Sequence, residues 1–358
     1  MFAVLMAGGV GTRFWPMSRK GYPKQLLSFT GKKSMLQKTY DRIKPLTSDN
    51  NILVITSEDL KKTVLKQLPH IPKENIIGEP VGKNTAPCIG LAATIIEQKA
   101  SENEVMVILP ADHLVSNVAN FRKTIQVGAA YAQESNSLIT LGIQPTYPET
   151  GYGYIQVDKK IVTRKARDIF KVRTFAEKPN FETAERFIKS GDFLWNSGMF
   201  IWSVKAIKRE INDHLPELGE DLKLVKQYVG KSKFRKALSD MYSRTKSVSI
   251  DYGIMEVATD VLVIKSDFQW NDLGSWDAVY NISKKDKFGN VCRTKKDLLL
   301  DATNNYFYSP KKLVVAFDVE GLVVVDMDDA ILVCSKEKSQ HVKEIVEYLK
   351  RKKMKSYL

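Results

Sequence analysis

In the first half of the chain, short apolar runs alternate with segments of helical periodicity. Residues 2–6 (FAVLM) are apolar and run into a glycine turn, which predicts a buried strand. Residues 52–56 (ILVIT) predict a second strand, with a helix over 60–68 behind it. A long helix is expected over 85–100, opened by Thr85 with Pro87 in its first turn, where a missing N–H leaves no bond unmade. Residues 105–109 (VMVIL) are apolar at every position, as a strand covered on both faces should be. A helix over 121–133 and a strand over 137–142 continue the series. Alternation of this kind predicts an α/β fold with a doubly wound, mostly parallel sheet.

From about Gly151 the rhythm changes. Short strands over 154–157, 171–176 and 199–204 alternate with longer helical stretches through Asp240. A strand over 261–265 leads into an aromatic loop, residues 268–276. After about Lys287 short apolar runs recur at regular spacing, over 298–300, 313–317, 321–325 and 330–333, and a charged helix over 338–353 follows. These spacings predict a large domain over 1–286 and a small β-rich domain over 287–358 that resembles a few coils of a β-helix. Its apolar strands are expected to pack on the large domain or on a second subunit of a homodimer.

The chain has 358 residues, enough for one large core and a smaller one. No stretch reaches the roughly 18 apolar residues of a membrane helix, and the apolar start lacks the basic head of a signal peptide. Cys88, Cys292 and Cys334 are far apart and form no CxxC pair, which argues against disulfides and zinc and fits a reducing cytoplasm. The formal charge is +14, but lysines are spread through every segment and only residues 350–353 form a dense run. Without a basic stripe interleaved with aromatics, nucleic-acid binding is not expected.

Candidate chemistry begins at the turn after the first strand. Ala7, Gly8, Gly9, Gly11 and Thr12 can turn backbone N–H groups toward a phosphate with few side chains in the way. The spacing is neither a Walker A loop nor a GxGxxG dinucleotide turn. Arg13, Arg19 and Lys24 add cations, a combination suited to a triphosphate whose leaving group is pyrophosphate. Asp112 follows an apolar strand and a proline, at the carboxyl edge where parallel sheets bind ligands. Asp272 lies in an aromatic, glycine-containing loop; two separated carboxylates without a Cys or His cluster suit Mg²⁺. His113 reads as a packing or supporting residue. Asn84 and Thr85, at a helix N-terminus, offer both donors and acceptors, and Thr85 is also a simple N-cap candidate. The carboxylates and amide of Glu177, Asn196 and Asp251 match sugar hydroxyls.

The stretch 7–19 (AGGVGTRFWPMSR) with Pro23-Lys24-Gln25 resembles the signature of bacterial mannose-1-phosphate guanylyltransferases, a branch of the sugar-phosphate nucleotidyltransferase family. Further matches follow in the family's order: GKNTAP at 82–87, LPADH at 109–113, GYGYI at 151–155, FAEKP at 175–179, WNSGMF at 195–200, SIDYGIME at 249–256 and WNDLGSW at 270–276. The resemblance covers about 1–285 and continues more weakly beyond. It implies a Rossmann-like nucleotidyltransferase domain that joins mannose 1-phosphate to the guanylyl part of GTP, giving GDP-mannose and pyrophosphate with Mg²⁺.

The resemblance assigns Asp112 and Asp272 to the metal and sets residues 82–87 against the base. It gives mannose to Glu177, Asn196 and Asp251 under the Gly151 and Gly153 backbone, and the sugar phosphate to Lys178. Arg13 and Lys24 then act on the triphosphate, so Arg13, Lys24, Lys178 and Asp112 carry the catalysis. The substrate phosphate is already an anionic nucleophile, so neither a covalent intermediate nor a general base is needed; the task is positioning and charge neutralisation. Trp195, Trp270 and Trp276 are expected to shape the pocket. Val257 stands where many relatives carry lysine, which leaves that position without an expected role. Residues 287–358 cannot hold the isomerase domain of the long forms, so a single activity is expected. Two rivals remain: a pyrophosphorylase for another sugar phosphate and nucleotide, and a non-catalytic sugar-nucleotide-binding paralogue, which should have lost Arg13, Lys24 or a metal aspartate.

Overall fold

The computed structural model describes residues 1–9 and 11–358; Val10, within the glycine turn, lies outside the described residues. The chain forms two compact units. The first comprises Met1–Gly8, Thr39–Ala111 and Val115–Trp270; the second comprises Gly9–Lys38, Asp112–Leu114 and Asn271–Leu358.

The first unit is built on a nine-stranded sheet. Strands β1 (Phe2–Ala7), β2 (Ile52–Ser57), β3 (Ile76–Glu79) and β4 (Val105–Pro110) lie in the order β3-β2-β1-β4 and pair in parallel. Their faces are buried almost throughout, which explains their unbroken apolar runs. Strand Phe193–Ser203 follows β4 and runs antiparallel to it and to Leu138–Ile143. Next come Val261–Ser266, parallel to Leu138–Ile143, then Arg167–Glu177 and Gly153–Arg164 as an antiparallel pair. The sheet is thus mostly parallel, as the alternation predicts. The short segment Ile76–Glu79 escapes sequence reading because its apolar run, Ile76-Ile77, is only two residues long. Helices Thr85–Lys99, Val204–His214, Pro216–Lys226 and Phe234–Arg244 contribute Ile89, Leu91, Ile207, Leu222 and Met241 to the core over the sheet.

The second unit contains a four-stranded sheet in which Val291–Thr303, Tyr306–Glu320 and Leu322–Asp326 stack in parallel and Ile331–Ser335 closes antiparallel. The two long strands extend well beyond the short runs at 298–300 and 313–317, since exposed residues interrupt their apolar pattern. Asn290 and Asn305 are fully enclosed at the coil turns: Asn305 donates to Asn290 Oδ1 at 3.1 Å and accepts from the Leu322 N–H at 2.8 Å. Such a ladder satisfies buried backbone groups at the corners. Residues 336–341 form a tight 3₁₀ turn, so the terminal helix is Val342–Arg351, shorter than expected. Phe14, Phe29, Trp276 and Tyr306 meet in the core of this unit, with Phe14 and Trp276 edge to face at 5.2 Å.

Candidate functional site

Two groups of predicted residues are assembled, one in each unit.

In the second unit the glycine turn closes through Phe14 N–H to Gly11 O (3.2 Å) and Ser18 Oγ to Gly11 O (2.7 Å). Gly11 has φ +63°, and a β-carbon added there would lie 2.5 Å from Lys24 Cβ. Only glycine fits both the conformation and the approach. That approach seats Lys24, whose side chain is buried. Its ammonium donates to Asp112 Oδ2 at 2.9 Å and to the Asp272 carbonyl. The two aspartates, 160 positions apart, thus meet at one lysine. Burial alone would raise the Asp112 carboxyl; the charges of Lys24 and His113 and the Lys24 hydrogen bond outweigh it and hold it below the usual carboxylate range. His113 Nε2 stands 3.7 Å from Asp112 Oδ1. Thr12 is half-buried and Arg13 exposed on the same turn. Gln25 Nε2 donates to Gly9 O at 2.9 Å, so Pro23-Lys24-Gln25 braces the turn on both sides.

Arg19 does not join this group. Its guanidinium donates to Tyr357 O (2.6 Å) and pairs with Asp329 (2.8 Å). The expectation that it helps hold a triphosphate is therefore corrected: both bonds keep it turned to the C-terminal segment.

In the first unit Asn84, at φ 67°, caps helix Thr85–Lys99 by accepting from Thr85 N–H at 2.9 Å. Thr85 is not the cap; its hydroxyl accepts from Ile250 N–H at 2.8 Å. With Ala86 N–H to Val248 O and Val248 N–H to Lys83 O, this ties residues 83–86 to the segment leading into Asp251. Asn196 Nδ2 donates to Asp251 Oδ1 at 2.7 Å. Burial, and then the charge of Glu177, push the Asp251 carboxyl up to about 6, over the opposing Asn196 bond. Glu177 pairs with Lys178 at 2.9 Å and lies so near Gly153 that an added β-carbon would be 2.0 Å from its Oε1. Lys178, at φ 48°, is exposed, with its ammonium held by Glu177, while Gly151 N–H donates to Glu149 Oε1 at 2.8 Å. Tyr152 packs edge-on to Trp195 and Trp270 at 5.2 and 5.0 Å. Trp276 is core instead, fully enclosed.

One residue escapes sequence reading. Glu79 ends β3 and is almost fully buried; Tyr242 donates to its Oε1 at 2.6 Å. A β-carbon added at Gly8 would lie 3.2 Å from its other oxygen, so this carboxylate faces the glycine turn's first residue. Burial pushes it up to about 7 despite the Tyr242 bond. No sequence signal marks it, because its burial and its Tyr242 partner, 163 residues on, exist only in the fold. Two cavities of about 470 Å³ lie elsewhere in the unit, one beside His214 and Arg244, the other beside Ile77 and Phe234. Neither is lined by a predicted site residue.

The Nucleotidyl transferase family model matches residues 2–288, and the MannoseP isomerase/GMP-like beta-helix domain matches 295–349. A mannose-1-phosphate guanylyltransferase of Escherichia coli is 39% identical over 353 residues, covering 98% of this chain and 75% of that protein. One from Klebsiella pneumoniae is 40% identical over 360 residues, covering 100% and 75%. A solved structure from Thermus thermophilus, described as a mannose-1-phosphate geranyltransferase, superposes with a TM-score of 0.87 at 31% identity, covering 98% and 99% of the two chains. A Helicobacter pylori mannose-6-phosphate isomerase shares the fold alone, with a TM-score of 0.59 at 23% identity over 76% and 100%.

Proposed function

The chain belongs to the nucleotidyl transferase family, and on that premise we propose that it transfers a guanylyl group from GTP to mannose 1-phosphate, giving GDP-mannose and pyrophosphate. The observation that carries this reading is the meeting of the Asp112 carboxylate and the Asp272 backbone carbonyl at the buried Lys24 ammonium, beside a glycine turn that bears Arg13. Such an arrangement serves phosphoryl chemistry: fixed cations and backbone N–H groups for a triphosphate, and oxygen ligands for a divalent ion.

The sugar-phosphate oxygen attacks the α-phosphorus in line and pyrophosphate departs. Arg13 and Lys24 neutralise the triphosphate and its leaving group, with the N–H groups of Ala7, Gly8, Gly9, Gly11 and Thr12 around it. Lys178, exposed beside Glu177, holds the attacking phosphate. Glu177, Asn196 and Asp251 accept from and donate to mannose hydroxyls, with the Gly151 and Gly153 backbone beside them. Asn84 and Thr85 take the base side. Glu79 joins them there: guanine presents its N1–H and amino donors side by side, and a carboxylate accepts both.

Mg²⁺ fits the donor set. Asp112 and Asp272 offer oxygen only, and no group of three or more His, Cys, Asp or Glu suited to a metal occurs among the described residues. Mg²⁺ is suited to one or two carboxylates, with waters and substrate phosphates completing its shell. Bound there, it would neutralise phosphate charge.

No helix among the described residues is long and apolar enough to cross a membrane. Three free cysteines and a nucleotide substrate support a cytoplasmic setting. The family matches end at 288 and resume at 295, which supports a division at 286–287 along the sequence, whereas the compact units part at Trp270 and Asn271, with Gly9–Lys38 and Asp112–Leu114 in the second. A homodimer is the partner state we infer, supported by an exposed apolar stripe: Leu298 beside Val315, and Leu300 beside Phe317, all about half exposed or more.

The deciding experiment is pyrophosphate release by the purified protein with Mg²⁺, for GTP, ATP, UTP and dTTP, each with mannose 1-phosphate or glucose 1-phosphate. Fastest release with GTP and mannose 1-phosphate, lost with EDTA, is the expected result. Another preferred pair overturns the specificity, and no release with any pair leaves a binding protein.

A further inference from the structure

Arg19 is kept from the Lys24 group by two bonds that lead to the C-terminal segment. The Tyr357 carbonyl accepts from Arg19 at 2.6 Å and from the Trp15 indole at 2.7 Å, using both lone pairs. Asp329 holds the other guanidinium nitrogen at 2.8 Å, and the Arg19 guanidinium lies 5.3 Å from the Trp15 ring centre. Tyr357 and Leu358 pack on the core that contains Phe14, Trp15 and Met17. The signature turn is therefore held from beneath at positions 15 and 19, four residues apart.

Between those two anchors, Ser18 fixes the Gly11 carbonyl at 2.7 Å. Gly11 in turn presses on Lys24, whose ammonium reaches Asp112. A continuous path of short contacts thus runs from the tail to the catalytic lysine. The links from Tyr357 to Lys24 and Asp112 are part-buried hydrogen bonds and one contact too tight for a side chain, so movement at one end is passed on.

We propose that Arg19 is a positioning residue, and that residues 354–358 form a strap which fixes the phosphate-binding turn through it. The activity part of this proposal rests on the pyrophosphorylase reading; its structural part does not. A misplacement of about 1 Å in such a turn costs roughly 100-fold in rate. Loss of a positioning residue should lower kcat and leave KM nearly alone, because ground-state contacts to substrate survive.

The test compares Arg19→Ala, a chain ending at Lys353, and the two combined. Kinetics use GTP and mannose 1-phosphate, and amide hydrogen exchange is followed by mass spectrometry. The expected result is a fall in kcat of about 10- to 100-fold in each single variant, with KM for GTP within about 3-fold. The combined variant should be no slower than the slower single one, since both cut the same path. Exchange should quicken over residues 11–19 in both variants, and over 355–358 when only Arg19 is changed. A rise in KM for GTP confined to Arg19→Ala would show direct contact with the triphosphate and overturn the proposal. Multiplying losses in the combined variant, or unchanged exchange over 11–19, would also overturn it. Should the shortened chain fail to fold, Arg19→Ala alone decides through tail exchange and the split between kcat and KM. If the parent protein releases no pyrophosphate, exchange still decides the strap.

Discussion

Lys24 Nζ lies 2.9 Å from Asp112 Oδ2 and also donates to the Asp272 carbonyl, so one buried cation holds two loops that the sequence separates widely. Lys24→Met keeps the stem's volume and removes the charge. Pyrophosphate release should fall by about 10²–10³-fold, the usual loss for one fixed transition-state donor. The variant should also lose the lowered Asp112 carboxyl, since the lysine charge leads the effects that hold it down. Activity should then fall at a higher pH on the acid side. A variant at wild-type rate would remove Lys24 from the mechanism.

Asp112→Asn and Asp272→Asn separate the metal role from the structural one. Each should raise the Mg²⁺ concentration for half-maximal release by at least about tenfold, because an amide is a weaker ligand than a carboxylate for a hard cation. Asp112→Asn should destabilise as well, by about 1–3 kcal/mol, because it leaves the buried Lys24 without its counter-charge. Denaturant melts would show that loss for Asp112 and little for Asp272. An unchanged Mg²⁺ dependence in both variants would refute the metal assignment.

Much of this was legible in the sequence, for physical reasons that differ by segment. The parallel strands β1, β2 and β4 are covered on both faces, so their apolar runs are unbroken. Asp112 stood out because a carboxylate just past such a run lies at the carboxyl edge where parallel sheets bind ligands. Arg19 did not behave as read: proximity in sequence to Arg13 suggested a shared ligand, whereas its partners lie 310 and 338 positions away. Thr85 as cap failed similarly, since Asn84 at positive φ supplies the oxygen and frees the threonine for Ile250. Glu79 was invisible because its meaning lies in its burial and its Tyr242 partner, 163 residues on.

Asp251 gives the sugar side a pH signature. Its carboxyl titrates near 6, raised chiefly by burial and next by the charge of Glu177. Above that pH it is an acceptor; below it the proton removes one of its acceptor sites. KM for mannose 1-phosphate should therefore climb as pH falls through about 6 in the wild type. In Asp251→Asn it should be higher throughout and flat across the same range. An inflection that survives in Asp251→Asn would assign the titration elsewhere, Glu256 being a further raised carboxyl beside Glu177.

Glu79 carries opposite consequences for stability and specificity. A buried acid whose folded value is about 7, against an ordinary 4.5, favours the folded state most when protonated. The contribution is complete below about pH 4.5 and fades as pH rises through 7. At about 1.4 kcal/mol for each pH unit of that gap, the loss by about pH 8 is about 3–4 kcal/mol at most. Glu79→Gln keeps an acceptor for the Tyr242 hydroxyl and removes the titration. It should gain stability over the wild type at about pH 8 and little at about pH 5. Preference for GTP over ATP should meanwhile drop by about 10–100-fold, as one of two acceptors for the guanine donors is lost. Unaltered nucleotide preference would leave Glu79 as a buried acid with no part in base reading.

The last prediction concerns the stripe formed by Leu298, Leu300, Leu313, Val315 and Phe317 on the two long strands of the second unit. Phe317 is the most exposed of the five, at 67%, and Leu313 and Val315 precede it on alternate positions of one strand face. An apolar row of this length on a solvent face invites burial against a like surface, and a two-fold axis lets the stripe meet its own copy. Sedimentation velocity at micromolar concentration should give a dimer for the wild type. Phe317→Asp should weaken it by about 2 kcal/mol or more, close to 30-fold in Kd, because a buried charge replaces an anchor. Its fold should hold, since the side chain leaves the core untouched. A wild type that sediments as a monomer would overturn the dimer and leave the stripe to another chain.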